Sequence, residues 1–178
     1  FVMSEVQSTF RLQAGDPGPA FELPEPNGQV HTLEGLRGEE GTLVIFACNH
    51  CPFVVHLADA VGRLAEEIAA AGVNTVAIMA NDVEKYPADH PDSMGPFAAE
   101  SGWAFPYLYD ESQEVAKEWS AACTPDFFLL DGEGHLFYAG QFDSSRPGDG
   151  VEATGADLRA AVNALLNDGE APGGSSPS

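Results

Sequence analysis

Leu43-Val44-Ile45-Phe46-Ala47-Cys48-Asn49-His50-Cys51-Pro52-Phe53-Val54-Val55-His56-Leu57 joins two patterns end to end. The first five residues are a short, β-rich apolar run, which suits a strand buried on both faces. From Phe53 onward, apolar residues recur at Leu57, Val61, Leu64 and Ile68, the spacing of an amphipathic helix. Pro52 fits the first helical turn, where a missing N–H costs nothing, and Gly72 is a good terminator. Cys48 and Cys51 therefore fall where a strand hands over to a helix N-terminus. Unpaired N–H groups and the helix dipole favour a thiolate there. A free cysteine titrates near pH ~8.5, and such a setting lowers that by one to several units. A thiolate with a second thiol three residues away is equipped for disulfide exchange.

Outward from this junction, residues 73–80 read as a second buried strand. Strand, helix and strand at this spacing form a βαβ unit with a right-handed crossover and a parallel pair. Upstream, residues 15–23 and 29–33 flank Pro26-Asn27-Gly28 and predict a hairpin, followed by a Gly-rich polar loop over 34–41. Downstream, 81–96 predicts a long loop with a short helix after Ser93. Residues 105–109 predict an edge strand because of Pro106. A short helix over 111–119 follows, then a hairpin of 127–130 and 135–140, then a helix over 156–166. The expected architecture is α/β: a mixed central sheet with helices on both faces and an N-terminal β-hairpin. The expected division is an N-terminal extension (1–14), one domain (15–168) and a Gly/Ser/Pro tail (169–178) expected to be flexible.

Composition narrows the function classes. The 178 residues are 44% hydrophobic, which suits one globular domain. Acidic residues number 28 against 7 basic, a formal charge of −21. Nucleic acid and anionic membrane are therefore not expected partners, since both need Lys/Arg patches. The charge points to a solubilising surface or to life in a salty cytoplasm. No apolar run reaches the ~20 residues of a membrane span. The first fifteen residues have neither a basic start nor an apolar segment, so no signal peptide is expected. With two of its three cysteines in a CxxC, the chain is expected in a reducing cytoplasm.

Taken in order, several segments carry a family resemblance: 15–23 (GDPGPAFEL), 46–53 (FACNHCPF), 81–87 (NDVEKYP), 105–110 (FPYLYD) and 123–128 (CTPDFF). Together they resemble the peroxiredoxin-like group of thioredoxin-fold proteins, the alkyl hydroperoxide reductase and thiol-specific antioxidant type. The resemblance implies a thioredoxin-like fold and a thiol–disulfide oxidoreductase. It implies no dissociable cofactor. Its substrates would be protein or small-molecule disulfides and thiols, and its electrons would come from a dithiol protein or a small thiol. It also implies a cis Pro125 beside the CxxC, with the backbone of Thr124 available to an extended substrate.

Within this frame Cys48 is the expected nucleophile, directly after the strand and with its sulfur nearest the surface, and Cys51 the resolving thiol. His50, as imidazolium, would stabilise the Cys48 thiolate, or else be an idle exposed histidine. Cys123 is either an additional redox thiol or a small buried hydrophobe. His56 reads as plain surface, and His31, His90 and His135 show no partner. A zinc half-site of Cys48, Cys51 and His56 lacks a fourth ligand, so no metal is expected.

The chain also departs from its relatives. In the peroxiredoxin Pro-x-x-x-Thr-x-x-Cys pattern, with Cys51 in the last place, Val44 and Cys48 occupy the Pro and Thr positions. No arginine lies between Arg63 and Arg146. Residues 42–47 hold no acid, so proton transfer to Cys51 has to use another group or water. Asp82 and Glu84 are the acidic candidates, or simply part of a solvated loop. Disulfide exchange is thus the first reading and a thiol peroxidase working through a sulfenic acid the second. A redox-inert binding module or metal carrier using Cys48, Cys51 and Cys123 is the third.

Overall fold

The computed structural model describes residues 12–121 and 124–167. The N-terminal hairpin consists of β1 (Glu22–Pro24) and β2 (Val30–Thr32), paired antiparallel as a small separate sheet. The stretch expected to be loop after it begins with a single helical turn, α1 (Leu33–Leu36). The hydroxyl of Thr32 accepts from Gly35 N at 3.0 Å to cap that turn.

The βαβ unit follows as β3 (Gly41–Phe46), α2 (Pro52–Ala69) and β4 (Val73–Met79), with β3 and β4 parallel in register Gly41↔Val73. Gly72 closes α2 at φ 92, a left-handed conformation that glycine adopts freely. The next segment is more ordered than expected. A 3₁₀ turn (Pro87–Asp89) leads into α3 (Pro91–Glu100), which starts two residues ahead of Ser93. β5 (Tyr107–Tyr109) pairs parallel with β4 at one sheet edge. α4 (Glu114–Glu118), β6 (Asp126–Asp131), β7 (Leu136–Gly140) and α5 (Ala156–Leu166) complete the described elements.

The main sheet has the order β5-β4-β3-β6-β7, with β6 antiparallel to β3 and β7 antiparallel to β6. All six residues of β3 are buried, because alternate side chains feed two cores. Leu43 and Ile45 meet Leu57, Val61, Leu64 and Ile68 of α2 and Leu158 and Val162 of α5. Val44 and Phe46 meet Trp119, Phe128 and the hairpin residues Phe21 and Leu23 on the other face. Trp119 is fully buried, and its indole N–H donates to the Pro19 carbonyl at 3.1 Å, fastening the N-terminal segment.

Candidate functional site

The sulfurs lie at the carboxyl end of β3, the end of a parallel sheet where α/β proteins commonly bind ligands. The amide of Ala47 still donates to Ile78 O at 2.9 Å, so the backbone is held by the sheet almost to Cys48. Cys48 is 0% exposed. The expectation that its sulfur sits nearest the surface is therefore corrected: the chain turns outward only after Asn49. Cys51 is half-buried and is the N-cap residue of α2, with Pro52 opening the helix.

Their electrostatics differ accordingly. The Cys51 thiol is lowered to about 5. The hydrogen bond from Cys48 is the largest cause, burial opposes it, and the N–H groups of Val54 and Phe53 and the Thr124 hydroxyl assist. Cys48 is pushed up by that same bond, by burial and by the negative charge of Asp89. The pair shares one proton, and the anion settles on the sulfur at the helix N-terminus.

Thr124 reaches both thiols. Its hydroxyl lies 3.5 Å from Cys48 Sγ, and its carbonyl oxygen lies 3.6 Å from Cys51 Sγ, to which the protonated thiol donates. The Thr124–Pro125 peptide is cis. Cys123 lies outside the described residues.

The acid near the cysteines is Asp89, a residue the sequence reading missed. It is 0% exposed on the 3₁₀ turn between β4 and α3. Its Oδ1 accepts the backbone N–H groups of Asn49 (2.7 Å) and His50 (3.0 Å), clamping the turn between the cysteines. Its Oδ2 is 2.5 Å from His50 Nδ1 and accepts the Asn81 amide at 3.0 Å. Asp82, by contrast, only shapes its own turn, with Oδ1 accepting Glu84 N at 2.9 Å, and Glu84 is exposed. No periodicity marks an acid recruited from forty residues away; the prolines at 87 and 91 that bracket it are the one local signal.

His50 is tied to Asp89 and stacked on Tyr86, with ring centroids 4.7 Å apart and planes at 8°. It is therefore an anchored residue rather than a loose one. The Tyr107 hydroxyl donates to Asn49 Oδ1 at 3.0 Å, bracing the same turn, and burial pushes that phenol well up. The other histidines have partners that the sequence did not suggest. His56 Nε2 lies 3.2 Å from Ser145 Oγ and His31 Nε2 2.9 Å from Glu25 Oε2. His90 Nδ1 accepts Asp92 N at 3.1 Å, and His135 Nδ1 lies 3.7 Å from Glu133. Arg146 places its guanidinium 4.9 Å from the ring centre of Phe53, two residues beyond Cys51.

The family model for Redoxin matches residues 13–158. The chain belongs to the Redoxin family. A Mycobacterium tuberculosis protein named as a peroxiredoxin is 29% identical over 113 residues, covering 64% of this chain and 67% of that one. A conserved protein of Geobacillus kaustophilus has a solved structure that is 45% identical, with a TM-score of 0.90, covering 97% of this chain and 92% of its own. The peroxidoxin BcpB of Mycobacterium tuberculosis shares the fold at 19% identity, with a TM-score of 0.64 over 89% of this chain and 98% of its own. The chain is a peroxiredoxin-like member of the thioredoxin-fold group, as its ordered segments imply. No helix among the described residues is long and apolar enough to cross a membrane.

Proposed function

We propose that this redoxin is a thiol–disulfide oxidoreductase that cycles Cys48 and Cys51 between dithiol and disulfide. The observation that carries this reading is a partly exposed thiol at the N-cap position of an 18-residue helix, with a second, buried thiol three residues before it. Burial reverses the roles expected from chain order. The Cys51 thiolate attacks a substrate disulfide and expels one thiolate, leaving Cys51 in a mixed disulfide. Cys48 then gives up its proton and attacks Cys51 Sγ, and the second substrate thiolate leaves. One disulfide becomes two thiols while the pair is oxidised. A dithiol protein or small thiol reverses this, in keeping with a reducing cytoplasm. Thr124 borders the attacking sulfur, its carbonyl oxygen 3.6 Å away, which suits it and the adjoining Pro125 to aligning an extended substrate.

Trapping tests the reading in a Cys123→Ser background. With Cys48→Ser, a peptide disulfide should accumulate as a mixed disulfide on Cys51, while Cys51→Ser should trap none. Adduct on Cys48 in the second variant refutes the assigned order. No turnover of insulin disulfides by the chain with Cys48 and Cys51 intact refutes the oxidoreductase reading.

Peroxide reduction is the second reading, favoured by the same partly exposed, low-lying thiol and by the peroxiredoxin-named relative. Stopped-flow mixing with hydrogen peroxide separates the two: fast thiol loss supports a peroxidase and slow loss supports disulfide exchange.

A further inference from the structure

We propose that the reduced site is also a Zn²⁺ site, with the metal held by the sulfurs of Cys48 and Cys51, a ring nitrogen of His50 and a carboxylate oxygen of Asp89. Cys48, His50 and Asp89 already bring one donor atom each to within 4.8 Å of one another. Cys51 stands outside that 4.8 Å group, at the N-cap position of α2 three residues after Cys48, and its thiol has to swing inward to become the fourth donor. Two thiolates, an imidazole and a carboxylate are a tetrahedral zinc donor set. With Zn–S near ~2.3 Å and Zn–N or Zn–O near ~2.0–2.1 Å, donors in such a site stand about 3.3–3.8 Å apart. Closing the three grouped donors around a metal therefore takes side-chain shifts on the order of 1 Å, and Cys51 has to move further than they do.

The surroundings suit a cation. Asp89 Oδ1 is fixed by two backbone N–H groups and Oδ2 by the Asn81 amide, the outer-shell support that orients a metal-binding carboxylate. Zn²⁺ would take the place of the proton between His50 Nδ1 and Asp89 Oδ2 and of the thiol proton on Cys48. The His50 side chain is 33% exposed, so the cluster opens to solvent on that side. Two thiolates and one carboxylate face a dication in a chain whose own charge is −21, a field that concentrates cations. The zinc half-site read from the sequence took His56 as its third ligand; here His50 takes that place, and Asp89 on the 3₁₀ turn after β4 adds the carboxylate.

Binding releases protons and changes no oxidation state. Both sulfurs are then occupied, so disulfide exchange stops until the metal leaves. Only this last consequence rests on the proposed oxidoreductase activity; the binding itself does not.

The test is titration of the reduced, full-length chain with Co²⁺, in the Cys123→Ser background so that two thiols remain. The expected result is one equivalent bound, with sulfur-to-cobalt charge transfer and intense tetrahedral d–d absorption, both abolished by Zn²⁺. His50→Ala, at a partly exposed position that is safe for folding, and Asp89→Asn should each weaken Co²⁺ binding by at least the roughly 10- to 100-fold that outer-shell partners command. A weak octahedral spectrum, no charge-transfer band, or unchanged affinity in a folded His50→Ala or Asp89→Asn variant overturns the site. Zinc binding without insulin turnover keeps the metal site and removes the oxidoreductase reading. Turnover without zinc binding does the reverse.

Discussion

Replacing Cys48 by alanine removes the hydrogen bond that does most to hold the Cys51 thiol down. The reaction of Cys51 with iodoacetamide across pH, in the presence of a chelator, reports the effect. With Cys51 near 5 and a free cysteine near ~8.5, the intact site at pH 7 holds about 30-fold more thiolate. A thiolate of lower pKa is intrinsically less nucleophilic, and a Brønsted slope of ~0.45 over that gap costs about 40-fold. The two effects nearly cancel at neutrality, so a rate at pH 7 decides nothing. At pH ~5.5 the thiolate advantage is about 760-fold, and roughly 20-fold faster alkylation than free cysteine survives. Cys48→Ala should move the midpoint upward, and Cys48→Ser, which keeps a donor, should move it less. A midpoint above ~7 in the intact dithiol, or label found on Cys48 rather than Cys51, refutes the argument from the helix N-terminus and burial.

Three further outcomes concern the scaffold. A Cβ on Gly38 would lie 2.3 Å from Gly41 O, 2.5 Å from Gly72 O and 2.7 Å from Asn74 N. Because all three are backbone atoms, Gly38→Ala should cost ~3 kcal/mol or more in urea denaturation. Trp119→Ala should cost about 3–5 kcal/mol by the same assay, since it empties a fully buried site. Burial alone would raise the Asp143 carboxyl, but hydrogen bonds from the Ser145 hydroxyl and the N–H groups of Gly155, Ser145 and Thr154 hold it below the usual value. Its folded pKa therefore lies under the unfolded ~3.9, so its contribution is complete above that and lost as pH falls through the folded value. Asp143→Ala should cost about 3 kcal/mol at pH 7, with the gap from wild type narrowing below pH ~4; a gap independent of pH would show that the carboxylate's charge is not what stabilises the loop.

The elements with strong periodicity were legible in the sequence. α2 shows its buried face in its spacing, β3 shows its burial as an unbroken apolar run, and the hairpin of β6 and β7 is announced by Gly132 and Gly134. α1 was missed because four residues are too few to show a helical period. Cys48 and Cys51 were legible as a pair, but their order of exposure was not. It depends on where the backbone leaves the sheet, and no residue type encodes that point. Asp89 is the larger omission. Its role comes wholly from contacts made across the fold, to Asn49, His50 and Asn81, and in the sequence it looks like any acid in a proline-rich connection.

β3 is paired along its entire length, to β4 on one side and β6 on the other. Backbone bonds rather than side-chain fit thus set the height and facing of residue 48. Apolar exchanges along the strand leave that geometry intact, whereas inserting or deleting one residue between 41 and 46 would slip the ladder and invert every side chain beyond it. Evolution can exchange the apolar side chains of residues 43–46 at similar volume but cannot change the strand's length.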